Sequence, residues 1–380
     1  MNMKKLSEKI SRIPPSATME ITDKARRMKA QGKDVISLSI GEPDFDTPAH
    51  ITEACINALK SGKTHYEASQ GLLELREAIC DKLAKDNGIT ATPNEVVVAC
   101  GAKNNLSEAM EACLNPQDEA IILDPSWVSY EPMIMLAGAK PVHHSLNLKN
   151  FQLDDTILEK VNKNTTMLIF TTPSNPTGSV LNRDSLTLIK DICEDNDIIA
   201  CADEIYEKLV YGGRKHLSIA AMGDMHERTI TVNGFSKAYA MTGWRLGYSH
   251  APLEITKTMT KVQQHTTSQA TTFAMWGGVA ALRGDQTCVE DMRKQFELRR
   301  NYLIGALNDI GYQTAPAEGA FYAFIRVDGD DLAIANRWLE EGLVASTPGT
   351  AFNAPGWIRI SYAAGMDTLK EAVRRISEIK

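Results

Sequence analysis

From about Thr47 onward, short runs rich in β-branched residues alternate with stretches whose apolar positions repeat at helical spacing. That rhythm predicts βα units around a largely parallel sheet, an α/β fold. A first helix is expected from Thr47-Pro48, with Ile51, Ala54, Cys55, Ala58 and Leu59 on one face and Gly62 as its stop. A second should run from about Leu72 to Lys85, burying Leu72, Leu75, Ile79 and Leu83. The candidate strands are Glu95–Cys100, Ala120–Asp124, Thr166–Thr171, Ile198–Ala202, Thr229–Val232 and Trp244–Ser249. Several are apolar on both faces, as buried parallel strands tend to be.

The texture changes after Glu290. A charged helix pattern from Asp291 to Leu307 leads into Gly319-Ala320-Phe321-Tyr322-Ala323-Phe324, then short strands and a last helix from about Thr368. We expect a large domain over residues 47–290 and a smaller α+β domain built from residues 1–46 and 291–380. In the first forty residues only Val35–Ile40 reads as a buried strand, and this segment is expected to pack with the C-terminal part.

Composition narrows the function. The chain has 380 residues, 43% hydrophobic and 23% charged, ordinary soluble usage. A net charge of −7 with no polybasic block argues against nucleic acid or an anionic surface as partner. The seven cysteines form no Cys-x-x-Cys pair and mostly sit in apolar runs, which fits free thiols in a reduced, cytoplasmic setting. No apolar segment follows the basic start, so no signal peptide is expected, and no run is long enough to span a membrane. No metal is expected, since the histidines lack ligand spacing and His143-His144 reads as a solvated pair.

Four segments stand where an α/β sheet presents chemistry, at a strand's carboxyl end or a helix start. Gly101-Ala102-Lys103-Asn104 joins a strand to a helix, where small residues and free N–H groups favour a phosphate, although a plain turn explains it equally. Ser174-Asn175-Pro176-Thr177-Gly178 is an irregular loop whose asparagine offers both donor and acceptor, or else a surface turn. Asp203, in Ala202-Asp203-Glu204-Ile205-Tyr206, ends a buried strand, a costly place for an acid without a positive partner. An exposed loop carboxylate is the competing account. The most specific segment is Ser236-Lys237-Ala238-Tyr239-Ala240-Met241-Thr242-Gly243-Trp244-Arg245-Leu246-Gly247. A lysine among small and apolar residues just past a strand is poorly placed as a solvated charge, and imine formation with an aldehyde cofactor removes that difficulty. Arg245 is spaced to return toward the same pocket, where its planar fork suits a phosphate.

In this order the segments resemble the fold type I pyridoxal phosphate (PLP) enzymes, specifically the class I aminotransferases around aspartate aminotransferase. The resemblance covers nearly the whole chain. It includes Pro-Ser-Ala-Thr (15–18), Gly-Glu-Pro-Asp-Phe-Asp-Thr-Pro (41–48), Tyr66 with Gly71, Trp127, Asn-Pro-Thr-Gly (175–178) and Asp-Glu-Ile-Tyr (203–206). It continues through Ser-Lys (236–237), Thr-Gly-Trp-Arg (242–245) and Arg359 in Ile-Arg-Ile-Ser-Tyr. The resemblance implies PLP on Lys237, which would also shuttle the substrate proton. Asp203 is then the partner of the pyridine nitrogen, Tyr206 and Asn175 the ligands of the ring oxygen, and Trp127 the stacking aromatic. Gly101, Ala102, Lys103, Ser236 and Arg245 are implied as the phosphate grip, joined by Tyr66 lent from the partner subunit of a homodimer. Arg359 would clamp the substrate α-carboxylate beside the Gly41 backbone. One departure stands out: many relatives place a phosphate-binding serine three residues before the lysine, and this chain has Gly234 there.

A PLP lyase or decarboxylase on the same fold is an alternative, because the same carbanion can partition several ways. A non-catalytic PLP-binding regulator would need an added DNA-binding segment or a lost lysine, and neither is seen. A nicotinamide dehydrogenase lacks its Gly-x-Gly-x-x-Gly. Subgroup members that use dicarboxylates carry a lysine in the glycine turn, as Lys103 does, with hydroxyls matching Ser16 and Thr18. Aspartate with 2-oxoglutarate is therefore the expected pair, and prephenate or aromatic substrates are the rival.

Overall fold

The computed structural model describes residues 7–13 and 17–380, with the side chains of residues 17–20 outside the description. Its strands are β1 (Ile36–Ser37), β2 (Val96–Ala99), β3 (Glu119–Asp124), β4 (Lys140–Ser145), β5 (Thr165–Thr171), β6 (Ile199–Asp203), β7 (Thr229–Gly234) and β8 (Gly247–His250). After a helical stretch come β9 (Gln313–Thr314), β10 (Tyr322–Arg326), β11 (Val344–Ala345), β12 (Thr347–Pro348) and β13 (Trp357–Ser361).

The apolar runs pair into one seven-stranded sheet in the order β2-β8-β7-β6-β5-β3-β4. Neighbours from β7 to β4 are parallel, and β8 runs against both β2 and β7. Every residue of β2, β3, β7 and β8 is buried, because helices cover the sheet. The fold is α/β, with one antiparallel strand in an otherwise parallel sheet.

β4 is absent from the sequence reading. Its composition, Lys-Pro-Val-His-His-Ser, carries no apolar alternation because it is an edge strand, exposed at both ends. It also corrects the solvated histidine pair. His144 is buried, and His143 Nδ1 lies 2.8 Å from the buried Asp124 carboxylate, whose hydrogen bond raises the imidazole pKa. The last strand of the sheet begins at Gly247 rather than Trp244, since Arg245 has φ +53° and breaks the extended run.

The helix expected from Thr47 spans Ala49–Lys60 and buries Ile51 and Ala58, whereas Leu59, expected on the same face, is 43% exposed. The second, Leu73–Lys82, continues as a π-helix over Leu83–Asn87 and ends at Gly88 with φ +70°. Its expected core of Leu72, Leu75, Ile79 and Leu83 is buried. The charged pattern forms the helix Thr287–Asp309. Beyond it β12-β13-β10-β9 make a four-stranded antiparallel sheet. The early segment joins this region: β1 pairs in parallel with β11, and Ser361 N donates to Leu38 O at 2.8 Å. No helix among the described residues is long and apolar enough to cross a membrane.

Candidate active site

The connections that leave the carboxyl ends of the parallel strands converge on one cavity of about 490 Å³. Gly41, Ala102, Lys103, Trp127, Asn175, Asp203, Tyr206, Ser236, Lys237, Arg245 and Arg359 all line it. Gly41 and Arg359, 318 positions apart in the chain, thus meet because the β1 segment docks against β13.

Lys237 follows β7 and lines the cavity. Its Nζ donates to Gly41 O at 2.6 Å and sits 5.8 Å from the ring centres of both Tyr206 and Phe321. Desolvation lowers its pKa to about 8, assisted by the Arg359 charge and resisted by Glu42. An amine in that state is a usable nucleophile near neutral pH.

Asp203 closes β6 and is 5% exposed. Burial raises its carboxyl pKa to about 6, against two stabilising hydrogen bonds: Tyr130 OH to Oδ2 at 2.7 Å and Ile205 N to Oδ1 at 3.2 Å. The acid is therefore buried rather than a loop carboxylate in water. The segment that carries it is anchored from behind. Asn87 donates to Glu204 and Glu207 at 3.1 and 2.6 Å, and the Lys82 ammonium pairs with Glu207. Glu204, Glu207 and His216 have ligand atoms within 4.8 Å of one another, with Lys82 paired to Glu207 and His216 Nε2 2.9 Å from Glu204.

Arg359, on β13, is 4% exposed. Its Nη1 donates to Asn175 Oδ1 at 2.7 Å and its Nη2 to Ser39 O at 2.6 Å, while the guanidinium lies 4.5 Å from the Tyr322 ring centre. Nε is buried without a partner. A guanidinium fixed this way presents a preset fork to a carboxylate. Tyr206 OH meets Tyr322 OH at 2.8 Å.

The opposite end is a backbone cradle. Gly101 has φ +89°, and a Cβ there would lie 2.7 Å from Arg245 Nη2. The helix Ala102–Cys113 starts immediately after it, so its first N–H groups face the cavity end that Arg245 borders. A Cβ on Gly247 would collide with the Ala102 backbone nitrogen, and one on Gly234 would come within 3.0 Å of Gly247 Cα. The departure at Gly234 thus has a steric reason: the strands β7 and β8 and this turn pack backbone against backbone.

Of the predicted residues, Tyr66 is not brought in. It is 89% exposed on the single chain, while Ser16 lies outside the described residues, and so does the Thr18 side chain. Gly101 borders the cradle without lining the cavity itself. The structure adds Tyr130, Tyr322, Ser39, Glu42, Thr22 and Arg26 to the wall or its supports. Tyr322 had a sequence signal as part of the Gly319–Phe324 run, and Glu42 as part of the motif at 41–48.

Residues 33–376 match the family described as aminotransferase class I and II. The aspartate aminotransferase of Bacillus subtilis (strain 168) is 40% identical over 98% of both chains. A probable aspartate/prephenate aminotransferase of Aquifex aeolicus is 41% identical over 99% of this chain and 98% of its own. The structure of the Thermus thermophilus aspartate aminotransferase with maleate superposes with a TM-score of 0.96 at 37% identity, covering 100% of each chain. Whole-length identity, the shared fold and a cavity that unites an amine, a buried acid and a guanidinium agree, and the chain is an enzyme belonging to the class I and II aminotransferases.

Proposed function

We propose that this aminotransferase moves the amino group of a dicarboxylic amino acid, aspartate foremost, to 2-oxoglutarate, using pyridoxal 5′-phosphate held on Lys237. The observation that carries the reading is the meeting of the Lys237 amine, the Asp203 carboxyl and the Arg359 guanidinium in one cavity.

The residues fit that cofactor. Asp203 is a buried acid with its pKa raised to about 6 and no cationic hydrogen-bond partner among the described residues, which suits a protonated pyridine. The Gly101-Ala102 turn with Arg245 suits a phosphate dianion, and Ser236 and Lys103 stand beside it. When bound, PLP supplies an electron sink for the carbanion at substrate Cα. With PLP bound, Lys237 would hold and pass the proton at its Nζ, Asp203 would keep the ring nitrogen protonated, and Tyr206 and Asn175 would bind the ring oxygen. Trp127, which lines the cavity, would stack on the ring. Arg359 orients the substrate by its α-carboxylate, with the Gly41 backbone beside it. Lys103, with Ser16 and Thr18, takes the distal carboxylate.

Aspartate is supported by the names of the relatives and by the maleate, a four-carbon dicarboxylic acid, that accompanies the Thermus enzyme. Prephenate or aromatic substrates form the second reading, favoured by the Aquifex name and by an aromatic-amino-acid aminotransferase of Thermococcus litoralis at 40% identity. The reading includes a homodimer in which Tyr66 reaches the partner's phosphate site, its exposure on the single chain being consistent with that use. It includes a cytoplasmic setting, supported by the seven free cysteines. It also takes residues 47–290 as a large domain, with 1–46 and 291–380 as a small one. The β1–β11 pairing supports that division.

Borohydride reduction and peptide mapping should place the pyridoxyl label on Lys237, and amino transfer from aspartate to 2-oxoglutarate should be stoichiometric. A label on another lysine, or decarboxylation in place of transfer, would overturn the reading.

A further inference from the structure

Among the described residues seven charged ones line the cavity, and five of them are basic: Arg26, Lys103, Lys237, Arg245 and Arg359 against Glu42 and Asp203. The proposed function engages every one of the five except Arg26. This arginine stands on the helix Ala17–Ala30, whose core face is Ile21, Ala25 and Met28. Thr22 and Arg26, one turn apart, form a neighbouring stripe, and both reach the cavity. The stripe is tied to the substrate end of the site. Thr22 Oγ1 lies 3.4 Å from Ser39 Oγ, and the Ser39 carbonyl is the group that holds Arg359 Nη2 at 2.6 Å.

Arg26 is not locked in place. It pairs with Asp23 on the same helix at 3.2 Å, with side chains 72% and 45% exposed, an ion pair that solvent screens and that exchanges easily. Arg26 reaches the cavity from a different helix than the one carrying Lys103, and its exposed guanidinium is available to a dianionic substrate that enters.

We propose that Arg26 is a specificity-determining residue, a second cationic contact for the distal carboxylate of dicarboxylic substrates. The inference rests on the dicarboxylic reading above. Its test is the donor half-reaction of the PLP-loaded enzyme with aspartate, glutamate and alanine, and competition by succinate, an unreactive dicarboxylic acid. Arg26→Leu should lower kcat/KM for aspartate and glutamate about fivefold and weaken succinate inhibition in parallel, with alanine changed by less than about twofold. Arg26→Lys should keep most of the dicarboxylate rate. If the unsubstituted enzyme does not favour aspartate over alanine, the dicarboxylic reading itself fails. If it does, and Arg26→Leu either leaves the dicarboxylates unchanged or slows alanine equally, the role of Arg26 alone is overturned.

Discussion

The Tyr130 hydroxyl donates to Asp203 Oδ2 at 2.7 Å, joining a helix that follows β3 to the end of β6. Both groups are buried, so this bond is the main local force holding Asp203 ionised against desolvation. Tyr130→Phe should push the Asp203 pKa further upward. The acid limb of the kcat/KM–pH profile should then move to higher pH, and kcat should fall about tenfold, as for one hydrogen bond to a charged group. An unmoved acid limb would count against this role of Tyr130.

Asp203 also has a measurable cost in the protein without cofactor. Its folded pKa of about 6 exceeds the ordinary 3.8, so the folded state retains a proton that the unfolded chain gives up. The sign follows directly: no penalty exists below pH 3.8, stability falls as pH rises to about 6, and the penalty is constant above that. The shift corresponds to about 3 kcal/mol at 1.36 kcal/mol per unit. Apo Asp203→Asn should therefore be the more stable protein at pH 7 by an amount of that order, with the advantage shrinking toward pH 4. A pH-independent difference in denaturant unfolding would refute the account.

How much of this was legible in the sequence depends on where each residue's partners lie. Lys237, Asp203 and Asn175 were readable because a polar residue at the end of an apolar strand has a short list of explanations. Tyr130 was not, because it opens an apolar helix, Tyr-Glu-Pro-Met-Ile-Met-Leu-Ala, and its partner is 73 positions away. Arg26 lies in the charged run Asp23-Lys24-Ala25-Arg26-Arg27, where composition suggests a solvated face. β4 escaped because an edge strand need not alternate. The Gly234 departure was visible as a letter, but its cause needed the packing of three backbones.

That packing makes a graded prediction. A Cβ at Gly234 would meet Gly247 Cα at 3.0 Å and Ile205 Cδ1 at 3.2 Å, so Gly234→Ser requires small shifts, costing about 1–3 kcal/mol. Gly247→Ala should be worse, since its Cβ collides with the backbone of the Gly101-Ala102 turn. Thermal melts should rank the wild type above Gly234→Ser and Gly234→Ser above Gly247→Ala. Phosphate-dependent cofactor affinity should fall most in the last. The reverse ranking would sink the steric explanation.

Lys103 is the sharpest test of substrate class. Its Nζ lies 4.7 Å from the Trp127 ring centre, and among the described residues no carboxylate pairs with it. Desolvation lowers its pKa, and the Arg245 charge lowers it further. An ammonium in that position gains from any anion that enters the cavity, and a distal carboxylate is the anion that distinguishes aspartate from alanine. Hydrogen bonds to charged groups contribute roughly 1.5–3 kcal/mol, so Lys103→Met should cost about tenfold to somewhat over a hundredfold in kcat/KM. The loss should appear for aspartate, glutamate and prephenate, with alanine nearly unaffected. If Lys103 serves only to neutralise a phosphate, cofactor binding weakens instead and every donor suffers together. Equal losses for alanine and aspartate at saturating PLP would therefore remove the dicarboxylate assignment's main support. Selective loss would establish that the lysine of the glycine turn reads the far end of the substrate.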